Sequence, residues 1–255
     1  MGLDLYAGTL TRYYARNWKS TVQQWAEANG YTFNRMGPDV PMEQEQKPDP
    51  AEVQAAMEGW QDSLLAALKA GGTQCPPWPE NNEAPYYTDK PDWDAYHALL
   101  LAAACKTAGQ EVPATVDKGL GEGFWERPVV KEAAESWKGA LFAGAELWLP
   151  FPESFYFRCP NPLGNEVVIG TTAGLEKELA RINDLLWQAG EEEILGWQYT
   201  EGYPADAQIS PDGKLCRVAE NARYDTLSLA KLAYSLFWQA VRFSRENQAP
   251  IVLDY

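Results

Sequence analysis

The sequence predicts an α+β fold: a helix-dominated single globular domain with a small mixed or antiparallel sheet, formed mainly from the second half and the C-terminal strand. Three observations predict it. Apolar residues recur at three- and four-residue steps in several long segments, the period of helices with one buried face. Short aromatic and β-branched runs, punctuated by proline and glycine, crowd residues 146–170, which is strand and turn composition. The elements run helices first, then strands, then helix and strand, unlike the steady alternation of a parallel α/β fold. At 255 residues the chain is near the size at which single cores stop growing, so one domain, 1–255, is expected. Sublobes 1–145 (helical) and 146–255 (α+β) are the alternative division.

Leu3, Leu5 and Tyr6 suit a short first strand. One helix is then expected from Leu10 to Asn29. Leu10, Tyr14, Trp18, Val22 and Trp25 form its apolar face, and Gly30 ends it. Residues 36–48 carry no period and read as a loop. The next helix has an N-cap at Asp49, Pro50 in the first turn and Glu52 at the positive end of the dipole. Its buried stripe is Val53, Met57, Trp60, Leu64 and Leu68, and Gly71 and Gly72 stop it.

Residues 71–92 hold five prolines (Pro76, Pro77, Pro79, Pro85, Pro91), which deny the segment a helix or a central strand. A third helix is expected from Asp92, as N-cap, to about Ala108, with Tyr96, Leu99, Leu100, Ala103 and Ala104 inward. A glycine-rich loop (Gly119, Gly121, Gly123) leads to Phe124 and Trp125, and Pro128 opens a helix through Trp137 to about Phe142. Strands are expected at 146–150, 154–158 and 166–170, with turn chemistry at 161–165. Thr172 caps a helix over 173–189, and Asp225 begins a helix to Asn247 that is apolar on most of its circumference and therefore central. Residues 250–255 read as a terminal strand.

Thirty-six acids against 21 bases give a net charge of −15, which argues against nucleic acid as partner, because neutralising phosphates needs clustered Lys and Arg. The N-terminus lacks the basic start and apolar run of a secretory signal, and no segment is apolar for long enough to span a bilayer, so a cytoplasmic protein away from membranes is expected. Cys75, Cys105, Cys159 and Cys216 have none of the close spacings of metal or redox sites and read as free thiols. A single histidine and the absence of an oxygen-ligand loop point to no metal and no cofactor.

Charge is uneven. Residues 36–96 hold three bases and twelve acids, and within them lies the proline segment with Trp78, Tyr86 and Tyr87. Two readings compete for those rings: they pin the loop to the body, or they stand out as anchors. On the second reading Trp78, Tyr86, Tyr87, Asp89 and Trp125 form a binding surface for a basic protein partner, with aromatics supplying buried area and acids steering encounter. The alternative function is a carboxylate-based enzyme on a small polar substrate such as a saccharide, drawing on Glu122, Glu126, Glu146, Glu153 or Glu191–Glu193. Asp94 and His97 are neighbours on one helix, but Cys105 is about 12 Å along the axis from His97, too far for a thiol–imidazole pair. The run 168–174 passes from strand to helix N-terminus without the lysine of a P-loop or the spaced glycines of a dinucleotide fingerprint, and reads as an ordinary cap.

The layout of the last part of the chain, with a strand at 166–170, a capped helix, a long apolar helix from Asp225 and a terminal strand, resembles bacterial proteins of the immunity or inhibitor type. The resemblance implies an acidic protein-binding module; neutralisation of a basic, nuclease-type toxin fits it, and so does an adaptor role. It lies in layout and assigns no residue roles.

Overall fold

In the computed structural model the described residues are 2–31, 47–203 and 223–255, with the backbone alone of 207–209 and 215–217. Most of the expected loop at 36–48, and the side chain of Cys216, lie outside them. In chain order the elements are β1 (Asp4–Ala7), α1 (Leu10–Tyr14), α2 (Thr21–Ala28), α3 (Pro50–Ala70), β2 (Tyr87–Asp89), α4 (Asp92–Thr107), β3 (Thr115–Asp117), a 3₁₀ turn (Phe124–Glu126), α5 (Pro128–Trp137), β4 (Ala145–Leu149), β5 (Tyr156–Pro160), β6 (Glu166–Thr171), α6 (Thr172–Leu186), α7 (Glu191–Thr200), β7 (Ala207–Ile209), β8 (Leu215–Arg217), β9 (Arg223–Asp225), α8 (Thr226–Asn247) and β10 (Ile251–Asp254). The fold is α+β, as expected.

Six strands form one mixed sheet in the order β2-β1-β10-β4-β6-β5, while β3 pairs β9 and β7 pairs β8. Only β4 and β6 run parallel within the large sheet. The terminal strand β10 lies at its centre, between β1 and β4. The two faces are buried differently. Leu5, Ala7, Trp148, Val168 and Ile251 face the layer of α4, α6 and α8. Tyr6, Leu147, Leu149, Ile169 and Val252 face α1 and α3. Strict alternation would put Ala145 and Leu147 on one face. A bulge between them sends Ala145 to the first layer and Leu147 to the second.

Asp49, Pro50 and Glu52 start α3 as their chemistry demands, with the Asp49 carboxylate accepting from Ala51 N–H at 2.9 Å. The single helix expected over Leu10–Asn29 is two. Arg16 adopts φ +55°, which breaks the first, and Ser20 and Gln23 build a reciprocal capping box that starts the second. Val22 and Trp25 are consequently exposed rather than buried. Asp92 does not cap α4. It takes φ +57° behind Pro91, and Asp94 turns instead to accept from Gly119 and Leu120 N–H groups. α6 is capped one residue early, by Thr171 on Gly174 N–H at 3.0 Å. Helix α4 is buried on every side from Ala95 to Cys105, more completely than α8, because its alanines let α8 approach closely. The acidic run 191–193 opens α7, a helix that periodicity left unmarked.

Candidate functional site

The proline segment folds back onto the molecule, and its rings do the pinning. Trp78 retains 4% of its exposure, sits edge-on to Trp60 and Phe151, and donates its indole N–H to Glu80 Oε1 at 2.8 Å. It is a core residue and presents no anchor. Tyr86 is half-buried. Its ring stacks on Tyr6 at 5.8 Å under the Arg12 guanidinium, and its hydroxyl accepts from Lys19 N–H at 3.1 Å. Tyr87 is half-buried against Phe243. Asp89 is half-buried too; burial pushes its carboxyl above the usual range, against the hydrogen bond from Lys90 N–H. Of the five residues read as a binding surface, Trp125 alone is exposed, at 39%, on the 3₁₀ turn between Glu122 and Glu126. The sequence set therefore does not converge on one face.

The carboxylates named for saccharide chemistry are dispersed. Glu122, Glu126, Glu153 and Glu191–Glu193 are exposed, and Glu146 accepts from the Tyr255 hydroxyl. The two buried glutamates among the described residues, Glu80 and Glu178, carry no sequence signal. Glu80 accepts from Leu10 N, Thr11 N, the Thr11 hydroxyl and Trp78 Nε1 at 2.7–3.2 Å, and so holds the start of α1 from a distant loop. His97 is buried between Phe124, at 4.2 Å, and Trp93, at 5.3 Å. Burial, with Arg127 nearby, pushes its imidazole down to about 4. It reads as a packing residue. Among the described residues no group of three His, Cys, Asp or Glu is placed to hold a metal ion, and Cys75, Cys105 and Cys159 are free thiols.

Two clefts remain. The first, about 460 Å³, is lined by Tyr199, Glu201, Tyr203, Arg223, Tyr224, Asp225 and Ser228 among others. Its charges are already spoken for. Glu201 pairs with Lys231 at 3.2 Å, Arg223 with Asp117 at 3.1 Å, and Asp225 caps α8 on Ser228 N–H at 2.7 Å.

The second cleft, about 380 Å³, lies where the end of α5, β5 and α6 meet, lined by Trp137, Lys138, Gly139, Ala140, Ser154, Phe155, Tyr156, Gly174, Lys177, Glu178 and Arg181. Its base is the Glu178 carboxylate, which accepts from Ala140 N at 2.8 Å, Leu141 N at 3.2 Å and Trp137 Nε1 at 2.9 Å. Gly139 is required for this approach, since a Cβ there would lie 2.0 Å from Glu178 Oε2. Burial pushes the Glu178 carboxyl up to about 7, against the pull of those hydrogen bonds and of Arg181. Arg181 lies over the Trp137 ring at 3.9 Å. Lys138, Lys177 and Arg181 are all exposed at the rim, and Tyr156 is 43% exposed beside them. Among the described residues none of the three cations forms an ion pair.

The sheet edge continues this surface. The β2 edge is closed by the Thr21 hydroxyl, which donates to Thr88 O at 2.7 Å. Among the described residues nothing pairs with the outer edge of β5 at Tyr156 and Arg158. Asn161 N–H donates to Asn165 O at 2.8 Å, and Phe155 N–H reaches Thr171, so the pairs 161/165, 159/167 and 157/169 face inward. Tyr156, Arg158 and Pro160 therefore aim their main-chain groups away from β6. Pro160 has no N–H, and its carbonyl accepts from Trp60 Nε1 at 3.0 Å. The N–H and C=O of Tyr156 and Arg158 are left facing outward. By the two-residue period Arg158 shares its face with Tyr156, on the cleft side, while Phe157 and Cys159 pack toward α3.

Of these cleft residues the sequence singles out for chemistry only Gly174, in the run 168–174 read as an ordinary cap, and none of the cations. Lys177 and Arg181 are one helical turn apart, a visible spacing, but Lys138 and Arg158 reach them only through the fold. Compared with family models, with curated proteins and with solved structures, the chain matches none.

Proposed function

We propose that the chain is a protein-binding module of the cytoplasm, and that its partner presents carboxylates to the cleft between α5, β5 and α6. The observation that carries this reading is the gathering of Lys138, Lys177 and Arg181, none of them in an ion pair among the described residues, around one concavity in a chain of net charge −15; Arg181 is held there by Trp137, through its ring and its carbonyl. Isolated cations on a surface are ordinary; several cations without ion pairs facing one cleft, beside exposed Tyr156, form an anion-recognising surface with some aromatic area to bury. The cleft contains one carboxylate, Glu178, where sugar cleavage uses two flanking the scissile bond, so binding fits it better than hydrolysis. The three free thiols are consistent with a reducing compartment.

The test is titration of isotopically labelled protein with triglutamate, followed by amide chemical shifts. Shifts confined to Lys138, Gly139, Tyr156, Gly174 and Lys177 are expected. Shifts scattered over the surface, or none at millimolar peptide, would reject the reading. A second reading, a basic partner, draws on exposed Trp125 between Glu122 and Glu126. It predicts that trilysine, not triglutamate, shifts the amides of 122–126.

A further inference from the structure

We infer that the partner is an acidic segment in extended conformation, which adds as a strand to the open edge of β5. The inference rests on the carboxylate-binding reading above and specifies its geometry. Two features meet on the same edge. The first is hydrogen-bonding capacity. Tyr156 and Arg158 each turn an N–H and a C=O away from β6, and β5 ends the sheet order. An edge strand with unused main-chain groups is a template for another strand. Proteins without such a role blunt the edge, as this one does at β2 with Thr21 and at Pro160 with Trp60. At Tyr156 and Arg158 the main-chain groups are left without partners among the described residues, and the Arg158 charge guards that stretch against neutral and basic strands but not against an acidic one.

The second feature is charge. A strand laid beside β5 lies about 4.8 Å from it, with alternate side chains over the cleft face. That face carries Arg158 with Tyr156, then Lys138, Lys177 and Arg181 around the concavity. Every other side chain of the incoming segment thus meets Lys138, Arg158 and Lys177, which form no ion pair among the described residues, beside Arg181 held over Trp137, and this selects Asp or Glu at alternate positions. The intervening side chains point to the face where Phe155 and Phe157 pack, which accepts apolar residues. The partner's pattern is therefore acidic–apolar alternation, and main-chain bonds supply affinity while the cations supply choice.

The probes are synthetic peptides: glutamate alternating with valine, the same peptide N-methylated on the valines, and lysine alternating with valine. Binding is read by fluorescence anisotropy on the intact chain, and hydrogen exchange of the Tyr156 and Arg158 amides is read by NMR. The glutamate peptide is expected to bind and to slow exchange of both amides. N-methylation, Arg158→Glu or Lys177→Glu should each weaken it about tenfold or more, and high salt should weaken it too. Both substituted side chains are exposed, so the variants are expected to fold. Equal binding of the N-methylated peptide, or unprotected amides, overturns strand addition; triglutamate shifts in the cleft would then leave the binding reading standing. Preferential binding of the lysine peptide overturns the charge assignment. Failure of triglutamate and of the glutamate peptide together overturns both.

Discussion

Glu178→Gln tests how the cleft is held together. The wild-type carboxylate serves three donors, with Oε1 taking Ala140 N and Oε2 taking Leu141 N and Trp137 Nε1. None of these donors can turn round and accept. A glutamine retains one oxygen, and its best placement serves Leu141 and Trp137 while its amide N–H faces that of Ala140. One buried N–H is orphaned, a cost of about 1–3 kcal/mol. The second effect is titration. In the unfolded chain Glu178 loses its proton near 4.5, in the folded chain near 7. Between those values the folded state binds more protons, so the stability the group contributes is complete below 4.5 and is lost as pH rises through 7. At about 1.4 kcal/mol per unit this amounts to about 3 kcal/mol. Glutamine does not titrate. At pH 4.5 the wild-type side chain is itself protonated, and its hydroxyl meets the same donors as the amide, so the orphaned N–H sets an upper limit of about 1–3 kcal/mol on the variant's deficit there, and the variant is expected to gain on wild type by about 3 kcal/mol between pH 4.5 and 8. Urea midpoints of both proteins at half-unit steps from pH 4.5 to 8 give the difference, in which other titrations largely cancel. A difference that is constant with pH, or that grows with it, refutes the account of Glu178.

Three further outcomes follow from named contacts. Glu80→Gln should cost about 1–3 kcal/mol by urea unfolding at pH 7: the Thr11 hydroxyl can turn to accept from the new amide, but Thr11 N–H loses its acceptor. His97→Phe should gain on wild type as pH falls from 6.5 to 4, by about 3 kcal/mol, because the unfolded imidazole takes up a proton through that window and the buried one, lowered to about 4, does not; unfolding curves at pH 7 and 4.5 measure it. Ser20→Ala removes one half of the box that starts α2 and should cost about 1 kcal/mol, read as faster amide exchange across 21–28 with α3 unaffected.

The elements that sequence marked well are those whose ends carry their own chemistry. Asp49, Pro50 and Gly71 bound α3 because capping and φ preference are local. Asp225 starts α8 for the same reason. The break between α1 and α2 was also written locally, as Ser20 and Gln23 three apart, but a continuous three- and four-residue apolar period across Leu10–Trp25 overrode it in the reading. The prolines of 71–92 deny the segment a helix or a central strand, and the one strand within it, β2, lies at the sheet edge; whether its rings face in or out depends on Glu80, whose four donors come from α1 and Trp78. No local rule marks a buried glutamate satisfied from seventy residues away. The cleft was illegible for the same reason. Its cations come from α5's end, β5 and α6, and they are conspicuous only once the ion pairs formed elsewhere are known.

Those ion pairs sharpen the case that the cleft is kept for binding. In a chain with 36 acids, cations have abundant partners, and Lys131, Arg223, Lys231 and Arg245 all take them. Grouping like charges works against folding: a like-charged pair four apart on a helix, as Lys177 and Arg181 are, costs about 0.2–0.5 kcal/mol. Acids on other faces do little to relieve this, because the screening length at physiological ionic strength is itself about 8 Å. Stability alone would place an acid at 177, one turn before Arg181, in the favourable order for a helical pair. Lys177→Glu should therefore raise stability by a few tenths of a kcal/mol in low salt, by urea unfolding, while abolishing most of the affinity for an acidic strand. A surface with no role in recognition would show the gain without the loss, and a substitution that lowered stability would mean that Lys177 serves the fold itself.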